Sequence, residues 1–395
     1  MGMTSKCGPI VCVVGARPNF MKMAPLLRAL RARTDLPPSV LVHTGQHYDV
    51  ALKDRVFEDL GLPQPDIDLH VGSGSHAAQT ADVMKGFEPV LERLQPSVVV
   101  VVGDVNSTLA CSLVASKRQV PVIHIEAGLR SYDRSMPEEI NRVLTDQIAA
   151  LHYTTERTAH DNLLREGIAA DRIHFVGNLM IDSLLEALPR ASLPVDLPAW
   201  KSGFALVTLH RPSNVDSRES LEHILGLLGE VSDRLPIVWP MHPRTRANME
   251  RFAMSLPAGR EPILTFPPQG YLAMVALMRE ARLVLTDSGG VQEETTALGV
   301  PCLTMRSNTE RPITIEQGTN TLVGTDRGRL LSEVDNILST GGKRGRVPEY
   351  WDGRAAERIA EHLAAWLNPR GSVHAGLEAA VRTACVPSAQ SVPLA

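Results

Sequence analysis

The chain has 395 residues, and its 40 Lys and Arg against 44 Asp and Glu give a formal net charge of −4. This length suits two domains of similar size, and a composition of 44% hydrophobic and 21% charged residues excludes wholesale disorder. The near-neutral charge disfavours nucleic acid or an anionic membrane surface as a partner. Five widely spaced cysteines without a Cys-x-x-Cys pair indicate neither a disulfide framework nor a zinc site. With no apolar run of transmembrane length and no secretory signal, we expect a cytoplasmic protein without a metal.

The first half alternates short β-branched runs with amphipathic helical stretches. Near-continuous apolar runs are typical of parallel strands covered on both faces, so we predict a doubly wound α/β domain over residues 1–188. The predicted strands are Ile10–Val14, Val40–His43, Val98–Val102, Val122–Ile125, Leu151–Tyr153 and Ile173–Val176, and the predicted helices are Met21–Arg33, Ala77–Leu94, Thr108–Lys117, Glu138–Ala149 and Thr155–Glu166.

A proline-rich stretch over 189–203 indicates a linker, after which a second alternation begins. We predict a second α/β domain over 189–352, one more helix at Arg354–Leu367, and a poorly ordered tail over 369–395. Two such domains face a central crevice, where the carboxyl ends of parallel strands bind ligands. The predicted strands are Phe204–Thr208, Ile237–Trp239, Ile263–Thr265, Leu283–Thr286, Pro301–Leu303 and Thr321–Val323.

Two glycine-containing turns follow predicted strands and suit an anion. Arg17 and Lys22 follow Gly15 at a helix start, where backbone N–H groups and the helix dipole favour a phosphate. They could instead be solvated residues at that helix start. In the second domain Ser288, Gly289 and Gly290 allow close approach of backbone N–H groups. Neither turn is Gly-x-Gly-x-x-Gly and no Walker A sequence occurs, which disfavours NAD binding and P-loop ATP hydrolysis.

Acidic residues supply the candidate acid/base groups. Asp104 and Glu126 each follow a predicted strand, so adjacent strands would place them side by side, and Glu138 opens a helix. Asp104 could instead be a helix N-cap, and Glu138 could simply interact favourably with its helix dipole. Glu293 and Glu294 either complement the dipole of their helix or accept hydrogen bonds from a ribose diol.

Two histidines follow strands of the second domain. His210 precedes Arg211, and His242 lies two residues before Arg244. A single histidine is more often structural, but two at strand ends beside arginines favour binding of an anion or supply of a proton.

Eight short segments of the chain resemble motifs of one known family. Taken in chain order, they resemble the non-hydrolysing UDP-N-acetylglucosamine 2-epimerases over about residues 10–368. The matching segments are 15–22, 43–49, 103–104, 126–130, 137–142, 210–212, 286–294 and 309–312.

The resemblance implies two Rossmann-like domains of the GT-B type, with UDP held mainly by the second domain. It also implies that a C-terminal helix over about 353–368 crosses back to complete the first domain. The family interconverts UDP-GlcNAc and UDP-ManNAc without NAD or another cofactor, by elimination of UDP to 2-acetamidoglucal and re-addition. Such enzymes are commonly homodimers, and we expect one here, with a UDP-sugar as the small-molecule partner.

By similarity to the family, residues of this chain take the following predicted roles. The catalytic residues would be Asp104, Glu126, Glu138 and His210. The substrate-binding residues would be Arg17, Lys22, Arg142, His242, Gln269, Met274, Ser288, Gly289, Gly290, Glu294 and Arg311.

The chain also departs from many bacterial members, which have Glu at Asn19, Arg at Tyr48, and Arg-Glu at Pro212-Ser213. These positions belong partly to the allosteric UDP-GlcNAc site of regulated members. The changes could equally accompany a modified sugar such as a 2,3-diacetamido uronic acid. Two further activities would share most of the motifs, namely a hydrolysing epimerase that releases ManNAc and a GT-B glycosyltransferase.

Overall fold

The computed structural model describes residues 8–46, 56–194 and 197–368. The first described sheet has seven parallel strands in the order β3-β2-β1-β4-β5-β6-β7. They are β1 (Ile10–Val14), β2 (Ser39–His43), β3 (Ile67–Asp68), β4 (Val98–Val102), β5 (Val122–Ile125), β6 (Leu151–Thr154) and β7 (Ile173–Phe175). The α-helices are α1 (Arg17–Arg31), α2 (His76–Leu94), α3 (Asn106–Lys117), α4 (Pro137–Ile148), α5 (Arg157–Arg165) and α6 (Leu179–Ala187), and residues 56–60 are also helical.

The second described sheet has six parallel strands in the order β10-β9-β8-β11-β12-β13. They are β8 (Ala205–Thr208), β9 (Ile237–Pro240), β10 (Ile263–Phe266), β11 (Leu283–Thr286), β12 (Cys302–Thr304) and β13 (Asn320–Leu322). The α-helices are α7 (Pro212–Val215), α8 (Arg218–Ser232), α9 (Pro243–Arg251), α10 (Tyr271–Glu280), α11 (Gly289–Leu298), α12 (Pro312–Glu316), α13 (Arg327–Thr340) and α14 (Ala355–Leu367).

The prediction of two doubly wound α/β sheets is confirmed, and each predicted strand is present to within one residue at either end. The first helix differs most, because it begins at Arg17 rather than Met21. Its first turn contains Pro18, which is tolerated there since a first-turn N–H has no partner inside the helix. The apolar periodicity starts only after that turn. Strand β3 was not predicted, and its two residues are too few to show a period.

The last helix packs against the first domain. Side chains of α14 share one buried core with α1 and α6, including Ile359 and Leu363. Asp182 on α6 accepts hydrogen bonds from the backbone N–H groups of Ala355 and Ala356, at 3.2 and 2.7 Å, and so fixes the start of α14. The domain boundaries near 188 and 352 stay a prediction, and the tail over 369–395 lies outside the described residues. Within the described parts of the chain, no helix is long and apolar enough to cross a membrane.

Candidate active site

Glu126 stands at the centre of a polar cluster between the two sheets. It follows β5, whose Ile125 pairs with Val102 of β4, and its side chain is buried. Lys22 Nζ lies 2.5 Å from Glu126 Oε2, and Arg311 Nη2 of the second domain donates to Glu126 Oε1 at 3.0 Å. Burial alone would raise the pKa of Glu126, but the two cations lower it. Glu126 is therefore held ionised.

Glu126 also has an unusual backbone conformation, with φ of 67°. A non-glycine residue in the left-handed region costs about 1–3 kcal/mol and persists only where its surroundings hold it. Such strain is concentrated at functional sites.

Asp104 follows the neighbouring strand β4, as the sequence predicted. Its carboxylate accepts two hydrogen bonds from Arg142, at 2.7 and 3.0 Å. The alternative of an N-cap for Asp104 is wrong, because Val105 occupies the N-cap of α3. Burial opposes ionisation of Asp104, but Arg142 and Lys22 lower its pKa. Arg142 also donates to Glu139 at 2.7 Å, so α4 supports the position of Asp104.

Glu138 differs from the other two carboxylates. It lies in the first turn of α4, and its side chain is about one-third exposed. The nearest cation is Arg211 of the second domain, with Nη1 at 3.8 Å from Glu138 Oε1. Glu138 therefore faces across the crevice and is more open to a ligand than Asp104 or Glu126.

Backbone donors in the turn before α1 are already paired. Asn19 Oδ1 accepts hydrogen bonds from both Gly15 N and Ala16 N, each at 3.1 Å. Binding of an anion by Arg17 and Lys22 stays a prediction. The Nε of Arg17 is buried with no hydrogen-bond partner among the described residues. Burial lowers the pKa of Arg17, while Glu294 of the second domain opposes that shift.

At the start of α11, the N-cap residue Ser288 donates its own N–H to Thr286 Oγ1 at 3.0 Å. Its side chain makes no cap, so the N–H groups of Gly289 and Gly290 in the first turn of this ten-residue helix suit an anion. A Cβ at Gly289 would lie 2.6 Å from Glu310 Oε1. Glycine is therefore required there by close packing.

Two successive glutamates of α11 have different surroundings. Burial raises the pKa of Glu294 to about 7, while Tyr271 and Arg17 act in the opposite direction. Glu293 was left out of the predicted substrate-binding set. Arg311 Nε lies 2.9 Å from Glu293 Oε1, and Asn178 Nδ2 donates to the same oxygen at 2.9 Å. Burial raises the pKa of Glu293 to about 8. Its first-turn position beside Glu294 was the signal in the sequence.

The two predicted histidines lie together. The ring centroids of His210 and His242 are 5.2 Å apart. Asp287 fixes the position of His210. Its carboxylate lies 3.0 Å from His210 Nδ1 and accepts hydrogen bonds from the backbone N–H groups of His210 and Arg211. Burial lowers the pKa of His242 to about 4, with further lowering from His210 and Arg17. His242 is therefore neutral near pH 7.

Three residues that were predicted to contact a ligand make no ion pair with the charged residues described above. Arg244 was expected beside a bound anion, but it pairs with Asp216 on the surface, at 2.6 Å. Gln269 donates to Pro267 O of its own loop at 2.8 Å, and Met274 is partly buried on α10. Gln269 and Met274 stay predictions as substrate contacts.

Side chains of alternating charge run across the crevice from the first domain to the second. Lys22 contacts Glu126, Arg311 contacts the same glutamate from the other side, and Arg311 also contacts Glu293. Such a site can hold an anion and move protons. Among residues 8–46, 56–194 and 197–368, no group of three or more His, Cys, Asp and Glu side chains could hold a metal ion.

Two parallel α/β sheets, with carboxylates at the strand ends of one and a glycine-containing helix start on the other, form a GT-B-type fold with a polar crevice between them. Comparison with known proteins identifies the family. The sequence profile of the UDP-N-acetylglucosamine 2-epimerases matches residues 28–364. The chain belongs to this family.

Individual relatives cover nearly the whole chain. The UDP-N-acetylglucosamine 2-epimerase of Methanocaldococcus jannaschii is 41% identical over 361 residues, which are 89% of this chain and 97% of the relative. The UDP-2,3-diacetamido-2,3-dideoxy-D-glucuronate 2-epimerase of Pseudomonas aeruginosa is 42% identical, over 90% of this chain and 99% of the relative. A crystal structure of the M. jannaschii enzyme in complex with UDP-GlcNAc and UDP superimposes with a TM-score of 0.82 at 40% identity, covering 90% and 99% of the two chains.

Proposed function

We propose that the protein is a non-hydrolysing UDP-GlcNAc 2-epimerase that interconverts UDP-GlcNAc and UDP-ManNAc. The observation that carries the proposal is the pair of carboxylates, Asp104 and Glu126, on adjacent strand ends, with Arg311 of the second domain donating to Glu126. We infer that these carboxylates supply the acid/base groups, and the helix start at Ser288 the anion site, that an elimination of UDP needs. The family membership and the relatives named above support the same substrate.

The second domain is suited to stabilising the leaving group, UDP. The C2 proton lies beside no carbonyl and is not acidic, so its removal needs a strong leaving group. The first-turn N–H groups of α11, His210 and Arg17 would stabilise the charge that develops on UDP. Glu294 would accept hydrogen bonds from the ribose.

Inversion at C2 needs proton transfer on two faces of the sugar, and therefore more than one acid/base group. Asp104, Glu126 and Glu138 are the candidates, with Lys22, Arg142 and Arg311 fixing the first two. Glu138 comes from a different element and faces Arg211, which suits it to the opposite face. UDP leaves, 2-acetamidoglucal forms, and UDP adds back as a proton reaches C2.

Incubation with UDP-GlcNAc in deuterated water, followed by NMR of the products, tests this proposal. UDP-ManNAc carrying deuterium at C2 is the expected product. Free ManNAc would instead identify a hydrolysing epimerase. No turnover without a sugar acceptor would identify a GT-B glycosyltransferase.

A second candidate substrate is UDP-2,3-diacetamido-2,3-dideoxy-D-glucuronate. The similarity to the P. aeruginosa enzyme is as high as that to the archaeal one, and the Pro212-Ser213 departure lies beside His210. The two candidates are separated by kcat/KM for the two UDP-sugars, measured on the same preparation. A higher kcat/KM for the uronate would show that the uronate, and not UDP-GlcNAc, is the preferred substrate.

We further propose a homodimer that acts in the cytoplasm. Ile140 and Leu144 of α4 are each 45% exposed, and Ile140 borders an open groove of about 390 Å³ that also contains Met84. An apolar patch of this kind suits a second copy of the chain. Cys12, Cys111 and Cys302 are buried free thiols, as expected in a reducing compartment. Light scattering on the protein and on I140K tests the dimer, since the substitution should give a monomer.

A further inference from the structure

Behind the two carboxylate-bearing turns lies a buried cluster of ionisable residues that the proposed mechanism does not use. His124 on β5 and Asp146 on α4 are both fully buried, and their side chains contact at 2.6 Å. Arg130 completes the cluster, because it contacts Asp146 Oδ2 at 2.7 Å and forms two hydrogen bonds with Glu166, at 2.8 and 2.6 Å.

The remaining polar atoms of this pair contact the backbone of both turns. His124 Nε2 lies 2.9 Å from the carbonyl oxygen of Gly103, the residue before Asp104. Asp146 Oδ2 accepts a hydrogen bond of 3.1 Å from the N–H of Gly128, two residues after Glu126. One histidine–carboxylate pair therefore connects the turn after β4 to the turn after β5.

Both ring nitrogens of His124 are used. One faces the Asp146 carboxylate and the other faces the Gly103 carbonyl oxygen. Arg130 brings a cation to the carboxylates of Asp146 and Glu166, in a region where an unpaired charge is costly.

The neighbouring titratable groups are tied to the same cluster. Burial would raise the pKa of Asp146, but His124 and Arg130 lower it to about 2. His152 on β6 pairs with His124 in register and contacts the Asp146 carbonyl oxygen at 2.7 Å. Burial lowers the pKa of His152.

Both turns contain left-handed backbone, which is unstrained at the two glycines and strained at Glu126. Gly103, Glu126 and Gly128 all have positive φ, at 68°, 67° and 80°. A Cβ at Gly128 would lie 2.3 Å from the carbonyl oxygen of Ala159, so the second turn is also pressed against α5. Movement of either turn would move a carboxylate.

We propose that the His124–Asp146 pair is a positioning device for the reaction, which fixes the spacing between the carboxylates of Asp104 and Glu126. This rests on the proposed function. Neither residue touches the crevice, so both act through the turns that they hold. A displacement of about 1 Å in an acid/base group can lower turnover by a factor of about one hundred.

The test compares H124Q and D146N with a matched control, H152Q. His152 is another fully buried histidine that contacts Asp146, but through the main chain and without contact to either turn. We expect H124Q and D146N to lower kcat by about ten- to one-hundredfold, while KM and UDP affinity stay within about twofold. H152Q should lower the unfolding temperature by a similar amount and keep kcat. Equal kcat in H124Q and H152Q, at matched folded fraction, would overturn the positioning role.

A second measurement does not depend on activity. The backbone N–H of Gly128 donates to Asp146, so its hydrogen exchange should be faster in D146N and H124Q than in wild-type protein and H152Q. Unchanged exchange at Gly128 in both variants would overturn the positioning role, even in an enzyme that epimerises UDP-GlcNAc. Faster exchange in the variants of a protein that shows no epimerisation would instead count against the proposed function alone.

Discussion

Glu126 shows how one side chain can join the two halves of the site. Its two carboxylate oxygens contact Lys22 of its own domain and Arg311 of the other. Each cation also meets further charges, so a change at this residue alters the charge balance of the whole crevice. The proposed acid/base role of Glu126 is therefore linked to the contact that it makes between the two domains.

Replacing Glu126 with Gln should lower turnover by at least about a hundredfold, the usual contribution of a general acid or base. UDP affinity should change little, because Glu126 faces the sugar and not the nucleotide. Turnover is measured by NMR and UDP affinity by calorimetry, with the same pair of measurements on D104N and E138Q. Near-normal turnover in all three variants would refute the acid/base assignment.

Replacing Glu294 with Ala should weaken UDP binding by about 1–3 kcal/mol, the cost of leaving buried hydroxyl groups unpaired. E294Q is the matched control, since it keeps the shape but not the charge. Because burial raises the pKa of Glu294 to about 7, the wild-type affinity for UDP should rise between about pH 6 and 8 as the carboxylate ionises. That rise should be absent in E294Q. Unchanged UDP affinity in E294A by calorimetry would contradict the ribose contact.

Residues at strand ends were predictable from the sequence, and their partners were not. Asp104, Glu126 and His210 follow apolar runs, and parallel strands bring such positions to one edge. The pairing of Arg311 with Glu126 spans 185 positions, and no local pattern encodes it. Likewise, the use of Asn19 to cap Gly15 and Ala16 depends on the geometry of one turn.

At the scale of elements, α14 meets the first sheet through a pair of closely packed histidine rings that are tilted by 40°. The ring centroids of His174 on β7 and His362 on α14 are 3.7 Å apart, and Tyr153 Oη lies 2.8 Å from His362 Nδ1. Burial lowers the pKa of His174 to about 4, with further lowering from His362, while Asp171 acts in the opposite direction. Burial lowers the pKa of His362 as well. The contact therefore requires neutral rings.

Stability should consequently fall in acid. The pKa of His174 is lower in the folded state than its ordinary 6.5, so its contribution is full above pH 6.5 and is lost as the pH falls toward about 4. We expect the urea midpoint to decrease over that window, and H174Q to show a smaller decrease. A wild-type midpoint that is constant from pH 7 to 4.5 would contradict this assignment.

The strands were largely predictable because they are near-continuous apolar runs, and all but β3 were located to within one residue. The strand β3 was missed because two residues show no pattern. The short helices α7 and α12 were not singled out, since four or five residues make little more than one helical turn and give no recurring apolar face.

At the scale of the whole molecule, the proposed anion-binding positions are divided between the domains. Arg17 belongs to the first domain, and His210 and the start of α11 belong to the second. A ligand that contacts both must favour the closed arrangement. We expect saturating UDP to reduce the radius of gyration in solution scattering, with a smaller reduction in R17A. Hinges near 189–203 and 350 are the predicted pivots. Identical scattering profiles with and without UDP would indicate a preformed crevice.

The packing of α14 against α1 and α6 has a consequence for synthesis. The first domain takes its final helix from the end of the chain, whereas the strands and helices of the second sheet lie between residues 205 and 340. On the ribosome, the half that emerges first cannot complete its core until the last helix has emerged. We therefore expect the second domain to finish folding before the first, whereas domains usually fold in the order in which they are synthesised.

A chain ended at residue 352 should bind the dye ANS through the exposed faces of α1 and α6, while Trp239 in the second core stays buried.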